Sequence, residues 1–155
     1  MNLRSLSKDN IQKYGEYESS YFDGKWYTNV EMDHNCNRLG NALKSLGIQK
    51  GDRVAIQMPN SPVVLWSFPA IYKIGAIAVP MNPLLRPDQA AYIYQNCGAK
   101  AVVTSPEFAP WVLAARDQAA GLKHVIVTEK DDIPDTIGYD KFVSDQPDSL
   151  EIEET

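Results

Sequence analysis

Apolar positions along this chain fall into four blocks that share one rhythm: a face at helical spacing, then a short solid apolar run. In the first block Met32, Cys36, Leu39, Leu43 and Leu46 recur at steps of four, three, four and three. That spacing lines one side of a helix. Thr28 opens it, and Glu31 three residues on completes a capping-box pattern. Gly47 ends it as a left-handed cap, with Ile48 folding back over the last turn. Val54-Ala55-Ile56 then reads as a buried strand.

The unit repeats three more times. Ser61-Pro62 caps and begins a second helix, with Leu65, Phe68, Ile71 and Ile74 on its apolar face, and residues 76–79 form a second strand. Pro69 lies inside that helix and is expected to kink it or displace its start. Pro87 begins a third helix closed by Gly98, and Ala101-Val102-Val103 follows as a strand. Ser105-Pro106-Glu107 starts a fourth helix closed near Gly121, and Val125-Ile126-Val127 is the fourth strand. Glycines at 47, 75, 98 and 121 punctuate the units. The last two steps are 23 residues each, the length of one helix plus one buried strand. The units share rhythm, not residues. The expected fold is α/β: a parallel sheet with strands near 53–57, 76–79, 100–104 and 124–128, helices on both faces, and right-handed crossovers.

Two stretches fall outside the rhythm. Ser20-Tyr21-Phe22 and Lys25-Trp26-Tyr27 flank Asp23-Gly24, the signature of a tight β-hairpin. Past Lys130 the periodicity dissolves, and Ile133-Pro134-Asp135 and Gln146-Pro147-Asp148 are turn signals. Charge follows the same division. Residues 129–155 carry ten acids and two bases, a balance of −8, whereas residues 1–128 carry ten acids and thirteen bases, or +3. The stretch 129–155 therefore reads as a solvated acidic loop.

Composition narrows the class. A chain of 155 residues, 44% hydrophobic and 23% charged, suits one domain with a real core. No cluster of Lys and Arg marks a nucleic-acid surface. The start, residues 1–14, lacks the apolar core of a signal peptide. Residues 63–80 are the most apolar stretch, but Pro69, Lys73 and Gly75 interrupt them too often for a membrane span. A cytoplasmic protein is expected.

Candidate chemistry is sparse. Cys36 and Cys97, 61 residues apart, make neither a disulfide framework nor a CxxC pair, and read as buried reduced thiols. His34 and His124 are the only histidines. His34 and Cys36 point to different faces of one helix, which argues against a shared metal. His124 reads as a strand-edge residue. Trp66, Phe68 and Tyr72 can be read as an acyl pocket, but on a helix packed against a sheet they fit a core better. Asn60-Ser61 lies at a strand's carboxyl end and before a helix, where free amides can bind an anion or the residues can simply cap the helix. No catalytic, cofactor-binding or metal-binding residue is assigned.

One resemblance adds to this reading. Trp26-Tyr27-Thr28, Asn37-Arg38-Leu39, Leu46-Gly47-Ile48 and Lys50-Gly51-Asp52-Arg53-Val54-Ala55-Ile56 resemble the opening of the AMP-forming acyl-CoA synthetases. The match continues through Met58-Pro59-Asn60-Ser61, Lys73-Ile74-Gly75-Ala76, Val79-Pro80-Met81-Asn82-Pro83 and Cys97-Gly98-Ala99-Lys100. It covers about half the chain, and order and spacing make it specific. Pro69 and Gln89, where the family usually places Glu, depart from it. Residues 1–128 would then be a partial N-terminal α/β subdomain of the synthetase large domain. Residues 129–155 would lead toward a phosphate-binding loop that this sequence lacks.

The resemblance implies a fatty-acid or other carboxylic-acid CoA ligase, using ATP, Mg²⁺ and coenzyme A, whose nucleotide contacts lie mainly downstream of Asn60-Ser61. Alone, this chain is expected to be inactive, to partner the remainder of a parent enzyme, and to self-associate as a homo-oligomer through uncovered apolar surface. Two alternatives stay open within the fold: a peptide-synthetase adenylation domain and a luciferase-like ligase. A third is a free-standing α/β binding module of response-regulator type. That one would want acids at strand ends, and Asp52 precedes its strand.

Overall fold

The structure is a computed structural model and describes residues 2–152. A short helix, α1 (Leu6–Tyr14), leads into a hairpin of β1 (Glu18–Phe22) and β2 (Lys25–Thr28). At its tip Asp23 and Gly24 have φ of 44° and 80°, the two positive angles that a primed turn demands. The hairpin is antiparallel and pairs Tyr21 with Trp26.

Helix α2 (Asn29–Ser45) carries the predicted capping box: the Glu31 amide donates to Thr28 Oγ1 at 3.1 Å, and the Thr28 amide donates to Glu31 Oε2 at 2.9 Å. Together they satisfy two of the donors that a helix start leaves orphaned. The Ile48 amide closes the far end on the Leu43 carbonyl at 3.2 Å, with Gly47 at φ 83°.

The main sheet contains β3 (Arg53–Gln57), β4 (Ile77–Pro80), β5 (Ala99–Thr104), β6 (His124–Val127) and β7 (Ile137–Gly138), in the order β4-β3-β5-β6-β7. Every pair is parallel. From β3 the chain crosses to β4 through α3 (Pro62–Lys73), then returns past β3 to β5 through α4 (Pro87–Cys97). With crossovers of one hand, that reversal puts α3 and α4 on opposite faces. The core divides accordingly. Cys36, Leu39, Leu43, Trp66 and Ile71 pack with Val54, Ile56 and Val103 on one face. Ala90, Tyr94 and Val112 pack with Ala55, Val102 and Val125 on the other.

Helix α3 runs through Pro69 as expected, and its start at Pro62 is not displaced. Several expectations change. The buried side of α3 is Trp66, Ser67, Ala70, Ile71 and Lys73, whereas Leu65 is 47% exposed, because the helix is rotated to bring Trp66 into the core. Residues 106–108 are turn, and α5 (Ala109–Arg116) starts later than predicted, since the Ser105 carbonyl takes the Phe108 and Ala109 amides at 3.1 and 3.0 Å. Helix α5 also ends before Gly121; tight turns carry Ala119 and Leu122 into the core instead.

The largest correction lies past Lys130. The expected loop holds β7 and a short helix, α6 (Tyr139–Ser144). A two-residue strand is too short to show a period, but it places Tyr139 in the core at 5% exposure. The stretch after α6 is then fastened to α2. Asn37 Nδ2 donates to the Asp148 carbonyl, Asn41 Nδ2 to the Pro147 and Ser149 carbonyls, and Leu150 lies against Gly40.

One buried polar cluster has no counterpart in the sequence reading. Lys73 is 4% exposed, and its Nζ donates to Asp33 Oδ1 at 2.5 Å and to Asn37 Oδ1 at 2.7 Å. Burial opposes ionisation of Asp33, but Lys73, Ser7 and Asn37 outweigh it and hold the carboxyl below its ordinary range.

Candidate functional site

Register builds the site. Ile56, Val103 and Ile126 stand side by side on β3, β5 and β6. Alternation along a strand places the residues two further on, Met58, Ser105 and Thr128, in a second row on the same face, just past the carboxyl ends. The chain reverses its direction of winding between β3 and β5, so these ends sit at a topological switch point, where open α/β sheets bind ligands.

A cleft of about 760 Å³ opens there. Trp66 from α3 and Tyr139 from α6 form one wall, and the Trp66 indole N–H donates to the Tyr139 hydroxyl at 2.6 Å. Burial pushes the Tyr139 phenol well above its usual pKa, so it stays neutral. Tyr27 from the hairpin packs on Trp66 with ring centroids 6.1 Å apart, and Lys25 lies 4.4 Å over the Tyr27 ring.

Two groups at the cleft are unusual. Ser105 and Thr128 line it, are 8% and 2% exposed, and neither hydroxyl has a hydrogen-bond partner. Glu129, next in the wall, has φ 64°, which only a small share of non-glycine residues adopt. The ionisable lining is mixed: Lys25 and Lys130 face Glu107, Glu129 and Asp140.

The residues weighed in the sequence fall as follows. Asn60 is exposed on the cleft rim, while Ser61 Oγ accepts the Val64 amide at 3.4 Å and so caps α3. Trp66 is core and cleft wall at once; Phe68 packs half-buried against the core. His34 lies on α2, 3.8 Å from Asp148, and His124 begins β6. Burial and Lys123 lower the His124 pKa. Cys36 is buried, which pushes its thiol up to about 12. Among the described residues no three His, Cys, Asp or Glu side chains group as a metal site. Asp52 bonds to Lys100 at 2.7 Å at the amino end of β3, away from the cleft. Sequence reasoning missed Ser105 and Thr128 as a pair. The available signal was their common place just after consecutive apolar strands.

With this geometry in place, comparison with known proteins defines the class. The sequence pattern of the AMP-binding enzymes matches residues 7–154. The chain belongs to that family. Crotonobetaine/carnitine–CoA ligase of Escherichia fergusonii is 33% identical over 147 residues, which is 91% of this chain and 28% of that protein. The corresponding Salmonella typhimurium ligase is 34% identical over 130 residues, 80% of this chain and 25% of its own length. An anthranilate CoA ligase in complex with anthranoyl-AMP superposes with a TM-score of 0.92 at 27% identity, over 99% of this chain and 30% of that one. A fatty acyl CoA synthetase from Mycobacterium tuberculosis gives 0.83 at 26% identity, over 98% of this chain and 30% of the other. The chain thus spans little more than a quarter of the length of these curated relatives. Among the described residues no helix is long and apolar enough to cross a membrane.

Proposed function

We propose that this chain is the amino-terminal part of an AMP-forming carboxylic-acid–CoA ligase of the cytoplasm. In such a reaction an acid displaces pyrophosphate from ATP to give an acyl-adenylate, and the thiol of coenzyme A then displaces AMP. The single observation that carries the reading is the family match across residues 7–154, joined to the superposition on the anthranilate ligase.

The residues of this chain do not by themselves fit ATP and Mg²⁺. The cleft lining carries three acids against two lysines, so it does not attract a polyphosphate. No described cluster offers a metal ligand set. No run of glycines with Lys, Ser and Thr is present to cradle phosphates. The role assigned to this stretch is therefore structural: it forms one wall of the ligase and shapes the carboxyl edge of a sheet against which other parts pack.

For the acid, the reading is a fatty acid. The identity to crotonobetaine/carnitine–CoA ligases favours a second reading, a short acid bearing a trimethylammonium group. Carboxylate-dependent exchange of pyrophosphate into ATP tests both. The 155-residue chain is expected to show none above a blank. The longer protein encoded through Thr155 is expected to show it with one of the two acid classes. Exchange by this chain alone overturns the structural role, and no exchange by the longer protein with any acid overturns the ligase reading.

A further inference from the structure

We propose that the buried Lys73–Asp33 pair holds shut a surface strap through one intervening amide: residues 147–150 are clasped along α2, and the pair fixes the side chain of Asn37 that pins them. The path of the chain after α6 is thereby set from the core. This coupling belongs to the module itself and is separate from any acid that a ligase would take.

One stripe of α2 holds the strap. His34, Asn37, Arg38 and Asn41 follow one another at steps of three, one and three, the spacing of a single helical face. Asn37 Nδ2 donates to the Asp148 carbonyl at 2.8 Å, and Asn41 Nδ2 donates to the Pro147 and Ser149 carbonyls at 3.0 and 2.9 Å. His34 and Arg38 each lie 3.8 Å from the Asp148 carboxylate. Leu150 comes so close to Gly40 that a Cβ there would meet its Cδ2 at 2.8 Å. Three consecutive carbonyls are thus gripped by two asparagines, with a glycine beneath the next residue to let the chain approach.

Asn37 is the pin, and its orientation comes from below. An asparagine amide accepts at oxygen and donates from nitrogen, so turning it over exchanges the two. Lys73 Nζ, which has donors only, holds Oδ1 at 2.7 Å. Asp33 Oδ2, which accepts only, holds Nδ2 at 3.0 Å. The second hydrogen of Nδ2 is then aimed at the Asp148 carbonyl. Asn37 is 6% exposed, and a buried amide oxygen without a donor is costly. With the pair removed, Asn37 relieves that cost by swinging out to water, and so lets go of Asp148. Asn41, half-buried, is left to hold the strap unaided.

Backbone ¹⁵N relaxation of the 155-residue chain tests the coupling. The amides of Ser149 and Leu150 are expected to show order parameters of about 0.85, as in the helices. The double variant Asp33→Leu/Lys73→Met removes the ion pair as a unit, a change that buried pairs often tolerate. In it the two strap amides are expected to fall below about 0.6 while α2 and the sheet stay rigid. Asp33→Asn leaves Lys73 on the Asn37 oxygen, so the strap is expected to stay rigid there. A strap that stays rigid in the double variant overturns the proposal. So does one that is loose in the unmodified chain, or that loosens equally in Asp33→Asn, as general weakening would give. Should the double variant not fold, Asn37→Leu removes the pin and leaves the ion pair, and a strap still rigid in it overturns the proposal.

Discussion

The Trp66 indole N–H donates to the Tyr139 hydroxyl across 2.6 Å, and this bond joins α3 to α6 over 73 residues of chain. Both partners are buried, at 7% and 5% exposure. The bond ties the segment after Lys130 to the core beneath it. Tyr139→Phe keeps the ring and leaves the indole N–H unpaired. We expect a loss of about 1–3 kcal/mol, read as a lower urea midpoint with an unchanged slope.

Lys73 predicts a larger effect. Its Nζ donates to both Asp33 and Asn37, and it is 4% exposed. Lys73→Met strands the Asp33 charge, and the cost is expected to be about 3–5 kcal/mol. Equilibrium denaturation at pH 7 measures it. A loss below 1 kcal/mol would contradict the assignment of a buried ion pair.

Acid should weaken the native chain through the same group. The carboxyls of Asp33 and Asp52 are both held below the ordinary carboxylate range. For Asp33, burial works the other way and is outweighed by Lys73, Ser7 and Asn37; for Asp52 the Lys100 hydrogen bond leads. A lowered folded-state pKa stabilises fully above the unfolded value and is lost as pH falls through the folded one. Stability is therefore expected to be flat from these groups between pH 7 and 5, and to drop below pH 4. Denaturant midpoints across that range test it, and Lys73→Met should flatten the acid limb.

Gly98 closes α4 at φ 64°, and a Cβ there would run into the Arg53 guanidinium. Arg53 also donates from Nε to the Cys97 carbonyl. Gly98→Ala imposes left-handed strain and displaces the guanidinium. We expect about 1–2 kcal/mol of destabilisation. Gly47→Ala meets nothing within 4 Å and should show the strain alone.

Self-association remains a prediction. Strand β4 is an edge of the sheet, Ile77 on it is 51% exposed, and no charge interrupts residues 77–80. Such an edge templates pairing with a second copy. Light scattering over a concentration series should show mass rising above that of one chain. Ile77→Lys should suppress the rise, and a constant monomer mass would exclude the edge as an interface.

Local chemistry made much of this fold readable in advance. The Thr28–Glu31 box, the Asp23-Gly24 turn and the left-handed glycines at 47, 75 and 98 each act within a few residues. Helical spacing marked α2, and solid apolar runs marked β3, β5 and β6, because a strand covered on both faces has no polar side to show. The matching family pattern was visible for the same reason: it is a sequence of caps, turns and strands at fixed spacing.

Tertiary structure decided what depends on neighbours far along the chain. Strand order put the apolar run at 77–80 on an edge and the run at 99–104 in the middle, although their compositions look alike. Strand β7 is two residues long and exists only because β6 lies beside it. The Lys73–Asp33 pair joins positions 40 residues apart, which no spacing rule links. Ser105 read as the start of a helix and Thr128 as the end of a strand. Parallel pairing of β5 with β6 brings both into the lining of the cleft, since pairing across strands fixes which neighbours each side chain meets.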